Sequence, residues 1–244
     1  MVLLETNGLV KRYGGRTVVD GVSISVGQRS IVGLLGRNGA GKTTSFRMCI
    51  GMIVPDGGTV SFEGTNVTKH PMFKRARLGM GYLSQEPSVF QRLSVKDNLH
   101  AILETMSITQ RERHRRANDL IERFGLGEVR ESQARFLSGG ERRKLEIARA
   151  MVTNPSLILL DEPFSGVDPI AVEELQGEIR QLVASGVSIL ITDHNVERTL
   201  EVADKAYIMD HGKVIASGPP KDIIQDELVR KSYLGQTFKG DEFD

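Results

Sequence analysis

The segment Ile31-Val-Gly-Leu-Leu-Gly-Arg-Asn-Gly-Ala-Gly-Lys-Thr-Thr44 passes from an apolar run through a glycine-rich loop into a helix-forming stretch. Ile31 to Leu35 has no polar break, which reads as a strand buried on both faces. After Lys42, the apolar residues Phe46, Cys49 and Ile50 recur at helical spacing. Between strand and helix, Gly36-Arg-Asn-Gly-Ala-Gly41-Lys42-Thr43 satisfies the pattern G-x-x-x-x-G-K-[ST], in the setting that a phosphate-cradling loop requires. Glycines let main-chain N–H groups wrap the β- and γ-phosphates, and the helix N-terminus adds positive partial charge. Lys42 spans the phosphates, and the Thr43 hydroxyl reaches Mg²⁺.

Outward from this unit, further apolar runs at Leu157-Ile-Leu-Leu160 and Val187-Ser-Ile-Leu-Ile191 flank a helix carrying Val172, Leu175, Ile179, Leu182 and Val183. Strands alternating with helices imply a parallel sheet with helices packed on it. Alternation at Val22, Ile24 and Val26, and at Val60 and Phe62 before Gly64, predicts short strands of an antiparallel sheet near the start. Tyr207-Ile-Met209 and Val214-Ile215 predict a strand pair at a sheet edge, turning at Asp210-His-Gly-Lys213. From Pro87 to Thr153 the pattern changes to helices with polar outer faces, including the arginine-rich stretch Arg111 to Arg116. The expected organisation is one domain over 1–244. Its core and antiparallel subdomain fall in 1–86 and 154–236, a helical subdomain is inserted at 87–153, and an acidic, mobile tail follows at 237–244.

The chain has 244 residues, 32 Lys+Arg against 31 Asp+Glu, a net charge of +1 and 39% hydrophobic residues. That balance lacks the basic excess of a duplex-binding protein, so nucleic acid is not an expected partner, and Arg111 to Arg116 reads as a solvated helix face. The single cysteine, Cys49, cannot form an intramolecular bridge, and Met1-Val-Leu-Leu-Glu5 does not read as a secretion leader, which fits a reducing cytosol. No apolar run approaches the ~20 residues that would cross a bilayer.

Leu157 to Leu160 ends in Asp161-Glu162, at the edge where an open α/β sheet forms its ligand crevice. Adjacent strand residues face opposite ways, so the two acids are expected to differ in role, Asp161 in the Mg²⁺ shell and Glu162 as general base toward water. Leu137-Ser-Gly-Gly-Glu141 opens another helix. Ser138 and Glu141 form a capping box, and the paired glycines expose N–H groups as a second anion site.

These residues resemble the nucleotide-binding subunit of ATP-binding cassette (ABC) transporters across nearly the whole chain. Gly36 to Thr43 looks like Walker A, Leu157 to Glu162 like Walker B, and Leu137 to Glu141 like the family signature. Gln85 in Tyr82-Leu-Ser-Gln-Glu86 looks like the Q-loop, Ser165-Gly-Val-Asp168 like the D-loop, and His194 like the switch histidine. The resemblance implies a P-loop NTPase fold of the ABC-ATPase type, with a RecA-like parallel-sheet core, an N-terminal antiparallel β subdomain and an inserted α-helical subdomain. It implies ATP and Mg²⁺ as ligands. Tyr13, Gly36, Arg37, Asn38, Gly39, Ala40, Gly41, Lys42, Thr43 and Thr44 would hold ATP, and Thr43, Gln85 and Asp161 the metal. Lys42, Gln85, Glu162 and His194 would serve catalysis. It further implies a head-to-tail homodimer in which Ser138, Gly139, Gly140 and Glu141 face the partner copy's γ-phosphate, with Asp168 in the D-loop. Arg37 stands where many relatives have Pro, and Glu141 where Gln is usual.

Within the family, Gly81-Tyr-Leu-Ser-Gln-Glu86, Phe90 to Leu99, Phe164-Ser-Gly-Val-Asp-Pro169, Ile191-Thr-Asp-His-Asn-Val196 and Tyr233-Leu-Gly235 resemble the ATPases of lipopolysaccharide exporters. That implies two membrane permease subunits whose coupling helices enter a groove near Val89, Phe90 and Arg92. Contact with the cytoplasmic face of the inner membrane would come only through those partners. A branched-chain amino acid importer ATPase shares the short chain and the Tyr-Leu-Gly ending. A non-transport ABC ATPase is the third reading, although the two cassettes or long coiled coil usual there are not visible.

Overall fold

The structure, a computed structural model, describes residues 1–166 and 168–230. The acidic stretch 237–244 and Tyr233-Leu-Gly235 lie outside the described residues. Chain order begins with β1 (Val2–Tyr13), β2 (Arg16–Val22), β3 (Ser25–Gly27), β4 (Ile31–Gly36), α1 (Lys42–Ile50), β5 (Gly57–Phe62), β6 (Thr65–Asn66), α2 (Met72–Arg77) and β7 (Met80–Leu83). Three helices follow, α3 (Val95–Leu103), α4 (Gln110–Arg123) and α5 (Gly139–Met151). The chain then runs through β8 (Leu157–Asp161), α6 (Pro169–Ala184), β9 (Ser188–Asp193), α7 (Val196–Leu200), β10 (Lys205–Asp210), β11 (Lys213–Gly218), α8 (Pro220–Gln225) and α9 (Glu227–Val229).

The main sheet has the order β11-β10-β4-β9-β8-β7, parallel except for the β10–β11 pair. The strand carrying the phosphate loop thus lies inside the sheet, with every carboxyl end from β10 to β7 on one rim. Alternation divides the core. Leu157, Leu159 and Leu190 face α1 and the N-terminal strands, whereas Ile158, Leu160, Ile189 and Ile191 face the helices that follow β7. Each such buried side chain contributes ~1.5–3 kcal/mol by leaving water. The second sheet runs β2-β1-β5-β6 with β3 added to β1, and its antiparallel pairings match the expected subdomain. β1 was not legible as a strand, because its apolar positions are interrupted by Gly8 and two register shifts along the β2 pairing.

One expectation needs correction. The Tyr207–Ile215 strand pair is not wholly at an edge: only β11 is, while β10 lies between β11 and β4 and pairs in parallel with β4. Ala206, Tyr207, Ile208 and Met209 are all buried, as an interior strand requires. On α4 the arginine-rich stretch is exposed at Arg111 and Arg115 and half-buried at Arg113 and Arg116, and it is internally paired, Arg115 to Glu112 and Asp119, and Arg116 to Glu112.

A buried cation ties α1 to the rest. Arg75 of α2 is 0% exposed and donates to the carbonyls of Met48 (2.8 Å), Cys49 (2.6 Å), His70 (2.9 Å) and Thr68 (3.1 Å). Its charge therefore sits at the negative end of the α1 dipole. The helix ends at Gly51, φ 87°, where a Cβ would come within 2.6 Å of the Arg75 Nε. Arg75→Ala is expected to cost about 3 kcal/mol or more, since it strands buried carbonyls, read as a lower melting temperature by calorimetry. In the same helix, burial pushes the Cys49 thiol up to about 12. Folded protein is expected to resist a thiol reagent that labels it fully in denaturant.

Candidate functional site

The loop after β4 is shaped by what its helix lacks. Gly41, the N-cap of α1, has φ 100° and offers no side-chain hydrogen bond, so the first-turn N–H groups have no side-chain cap. A side chain at Gly41 would meet the Val18 carbonyl at 2.6 Å, so only glycine fits. Arg37, Asn38 and Gly39 form the exposed crown, Ala40 is buried beneath, and Thr43 and Thr44 are part-buried. Lys42 is 4% exposed and donates to the carbonyls of Gly36 and Arg37. Burial lowers its pKa, against the opposing pull of Glu162 and Asp193.

The strand ends beside this loop bring the acids together. Asp161 lies on the same face of β8 as Leu157 and Leu159, toward α1, and accepts from the Tyr82 hydroxyl at 3.2 Å. Burial raises its pKa, and burial with the Asp161 charge pushes the Tyr82 phenol up to about 12, which keeps it a donor. Glu162 departs from the expected alternation: the strand has ended, and Glu162 is held at φ 48° with its N–H on the Thr192 carbonyl (2.7 Å). That turn, and not strand pleating, separates the two carboxylates. Glu162 accepts from Gln85 Nε2 at 3.0 Å, and His194 Nδ1 stands 3.7 Å from Glu162 Oε2 and 3.4 Å from Asp193 Oδ1. The expected catalytic set Lys42, Gln85, Glu162 and His194 therefore converges on one rim. Tyr82 and Asp193 also join this rim, and nothing local in sequence shows what their polar groups meet.

The second glycine motif forms the predicted capping box. Ser138 Oγ accepts from Glu141 N (3.2 Å) and donates to Glu141 Oε2 (2.7 Å), which also accepts from Ser138 N (2.8 Å). Those Ser138 bonds hold the Glu141 carboxyl below its usual value. A cleft of about 330 Å³ is lined by Gly139 and Gly140 together with Gln85, Glu162 and Asp168. None of Gly36 to Thr44 is among the residues that line it. Asp168 accepts from Ala171 N at 3.0 Å as the N-cap of α6. Tyr13 is exposed at the end of β1, with the Lys11 ammonium 5.5 Å from its ring centroid.

The proposed groove is divided. Phe90 is 49% exposed, with the Arg149 guanidinium 4.6 Å from its ring centroid, and Arg92 is exposed. Val89, by contrast, is only 7% exposed and joins the helical core, so its place in a docking surface is corrected to a supporting one.

The fold and site define an ATP-binding cassette, and the family comparison agrees: the ABC transporter pattern matches residues 19–165. The chain belongs to the ABC transporter family as an ATP-binding, ATP-hydrolysing subunit. It is 48% identical over 237 residues to the lipopolysaccharide export system ATP-binding protein LptB of Acidithiobacillus ferridurans, covering 97% of this chain and 98% of that one. With LptB of Escherichia coli K12 it shares 49% over 240 residues, 98% and 100% of the two chains. A probable ABC transporter ATP-binding protein of Azorhizobium caulinodans is 51% identical over 239 residues, covering 97% of this chain and 84% of that one. Residues 213–239 also match a segment described as branched-chain amino acid ATP-binding cassette transporter. Among solved structures, an ABC transporter cassette in its ADP conformation superposes with a TM-score of 0.87 at 28% identity, over 97% of this chain and 100% of that one. CbiO1 of Clostridium perfringens gives 0.85 at 25%, over 96% of each. No helix among the described residues is long and apolar enough to cross a membrane.

The raised Asp161 pKa gives a stability prediction. Its folded value exceeds the unfolded one, so ionisation opposes folding above both values, and the opposition fades as pH falls through the folded pKa. Asp161→Asn is expected to raise the melting temperature of nucleotide-free protein at neutral pH, with the gain disappearing in acid, measured by thermal denaturation across pH.

Proposed function

We propose that this chain powers a lipopolysaccharide exporter, as a head-to-tail homodimer beneath two membrane subunits on the cytoplasmic face of the inner membrane. The observation that carries the reading is the 48–49% identity to LptB proteins over at least 97% of the chain. In each site the uncapped α1 N-terminus and Lys42 hold the phosphates of ATP, while Tyr13 stacks on adenine. Glu162, oriented by Gln85 and beside His194, takes the proton of the attacking water as it adds to the γ-phosphorus and the bond to ADP breaks. His194 turns Nδ1 toward the carboxylates, which leaves Nε2 for the γ-phosphate. Ser138, Gly139 and Gly140 of the partner copy close over the same phosphate, and Asp168 lines the joint.

The donor set fits Mg²⁺. Thr43, Gln85 and Asp161 each carry a hard oxygen donor of the kind Mg²⁺ takes. That suits an ion whose other positions go to phosphate and water. When bound, the ion neutralises phosphate charge. Phe90 and Arg92 would meet the coupling helices of the membrane subunits, so that closing of the dimer moves them.

The match of residues 213–239 favours a second reading, an ATPase of branched-chain amino acid uptake. Co-purification decides between them: membrane partners that bind lipopolysaccharide support the first, and an amino-acid permease replaces it with the second. For the chemistry, Glu162→Gln is expected to lower ATP turnover by about 10²–10⁴-fold with nucleotide binding retained. Near-normal turnover would remove Glu162 from the role of base.

A further inference from the structure

We propose that Asp193 is a positioning residue for hydrolysis: its carboxylate fastens the turn after β8 to the turn after β9, and so holds Glu162 and His194 in one geometry. This rests on the reading of Glu162 as the base.

Asp193 ends β9, is 0% exposed, and uses both oxygens. One accepts from the main-chain N–H of Phe164 at 3.0 Å, two residues past Glu162. The other accepts from the N–H of Asn195 at 2.8 Å and lies 3.4 Å from His194 Nδ1. A single buried carboxylate thus grips both turns that present the reacting side chains. Glu162 needs that grip. A non-glycine residue at φ 48° is strained and persists where its surroundings over-determine it. Here the Thr192 carbonyl holds it on one side and Asp193, through Phe164, on the other.

Neither the cap of α7 nor the joining of β8 to β9 calls for an acid at this position. The Asn195 side chain already caps α7, accepting from Arg198 N at 3.2 Å, and main-chain pairing already joins β8 to β9. Burial disfavours the charged form of Asp193, with Glu162 adding to the penalty. The carboxylate faces two N–H groups and the histidine, and so joins both turns to the site.

Asp193→Asn keeps the shape but turns an amide NH₂ toward one of those N–H groups. In steady-state ATPase assays of the full chain, kcat is expected to fall by about 10–100-fold while KM for ATP stays within about threefold, as for misplacement of a reacting group. Introduced into Glu162→Gln, the same change is expected to add less than about twofold, because what Asp193 holds is the Glu162 carboxylate against His194, a pairing that variant has already lost. Normal kcat in a folded Asp193→Asn protein, a KM rise that accounts for the loss, or full additivity with Glu162→Gln would each overturn the proposal. Should Asn prevent folding, as judged by circular dichroism, Asp193→Thr retains one acceptor and is held to the same criteria. If neither variant folds, the residue is structural and the proposal fails. Glu162→Gln alone separates the two readings: unimpaired turnover there defeats the base assignment, whereas slow turnover there with normal Asp193→Asn defeats only this one.

Discussion

A helix N-terminus whose N–H groups find no side-chain cap must find another acceptor, and the first turn of α1 is such an end. Everything around it keeps that turn in place and available. β4 is fully buried and carries the loop from inside the sheet, and Gly41 packs against the Val18 carbonyl. At the far end of the helix, Arg75 satisfies carbonyls that would otherwise be stranded, so the dipole has a cation at its tail and an open head. α5 makes a useful contrast. There Ser138 and Glu141 satisfy each other's main-chain N–H groups, so the two glycine-led helices begin differently, one with a side-chain cap and one without.

The rim beside the loop collects charged groups whose burial disfavours their ionised forms. Asp161 and Asp193 are both buried with their ionised forms disfavoured, and Glu162 sits in a left-handed turn between them. Lys42 is desolvated among the same acids. Such a concentration of unfavourable groups is the usual mark of a functional site, where stability is given up for a preorganised field. The surrounding sheet supplies the rigidity: the strand ends are locked by main-chain pairing, so small side-chain contacts such as Tyr82 to Asp161 and Gln85 to Glu162 have fixed starting points.

Resemblance to the family singled out Gln85 and His194, whereas the strand–loop–helix unit, the apolar runs of β4, β8 and β9 and the capping box are legible in the residues themselves. Each is a local pattern whose physics acts within a few residues: burial on both faces needs an unbroken apolar run, a phosphate loop needs its glycines, and a cap needs its partner three positions on. Tertiary structure alone decided the interior place of β10, the burial of Val89 beside an exposed Phe90, the cap that Arg75 gives α1, and the bond from Asp193 to Phe164. These join residues that are 26 and 29 positions apart in the last two cases, or depend on which strand lies next to which. A hydrogen-bond partner across a sheet edge is set by strand order and register, and neither is written in the residues on either side.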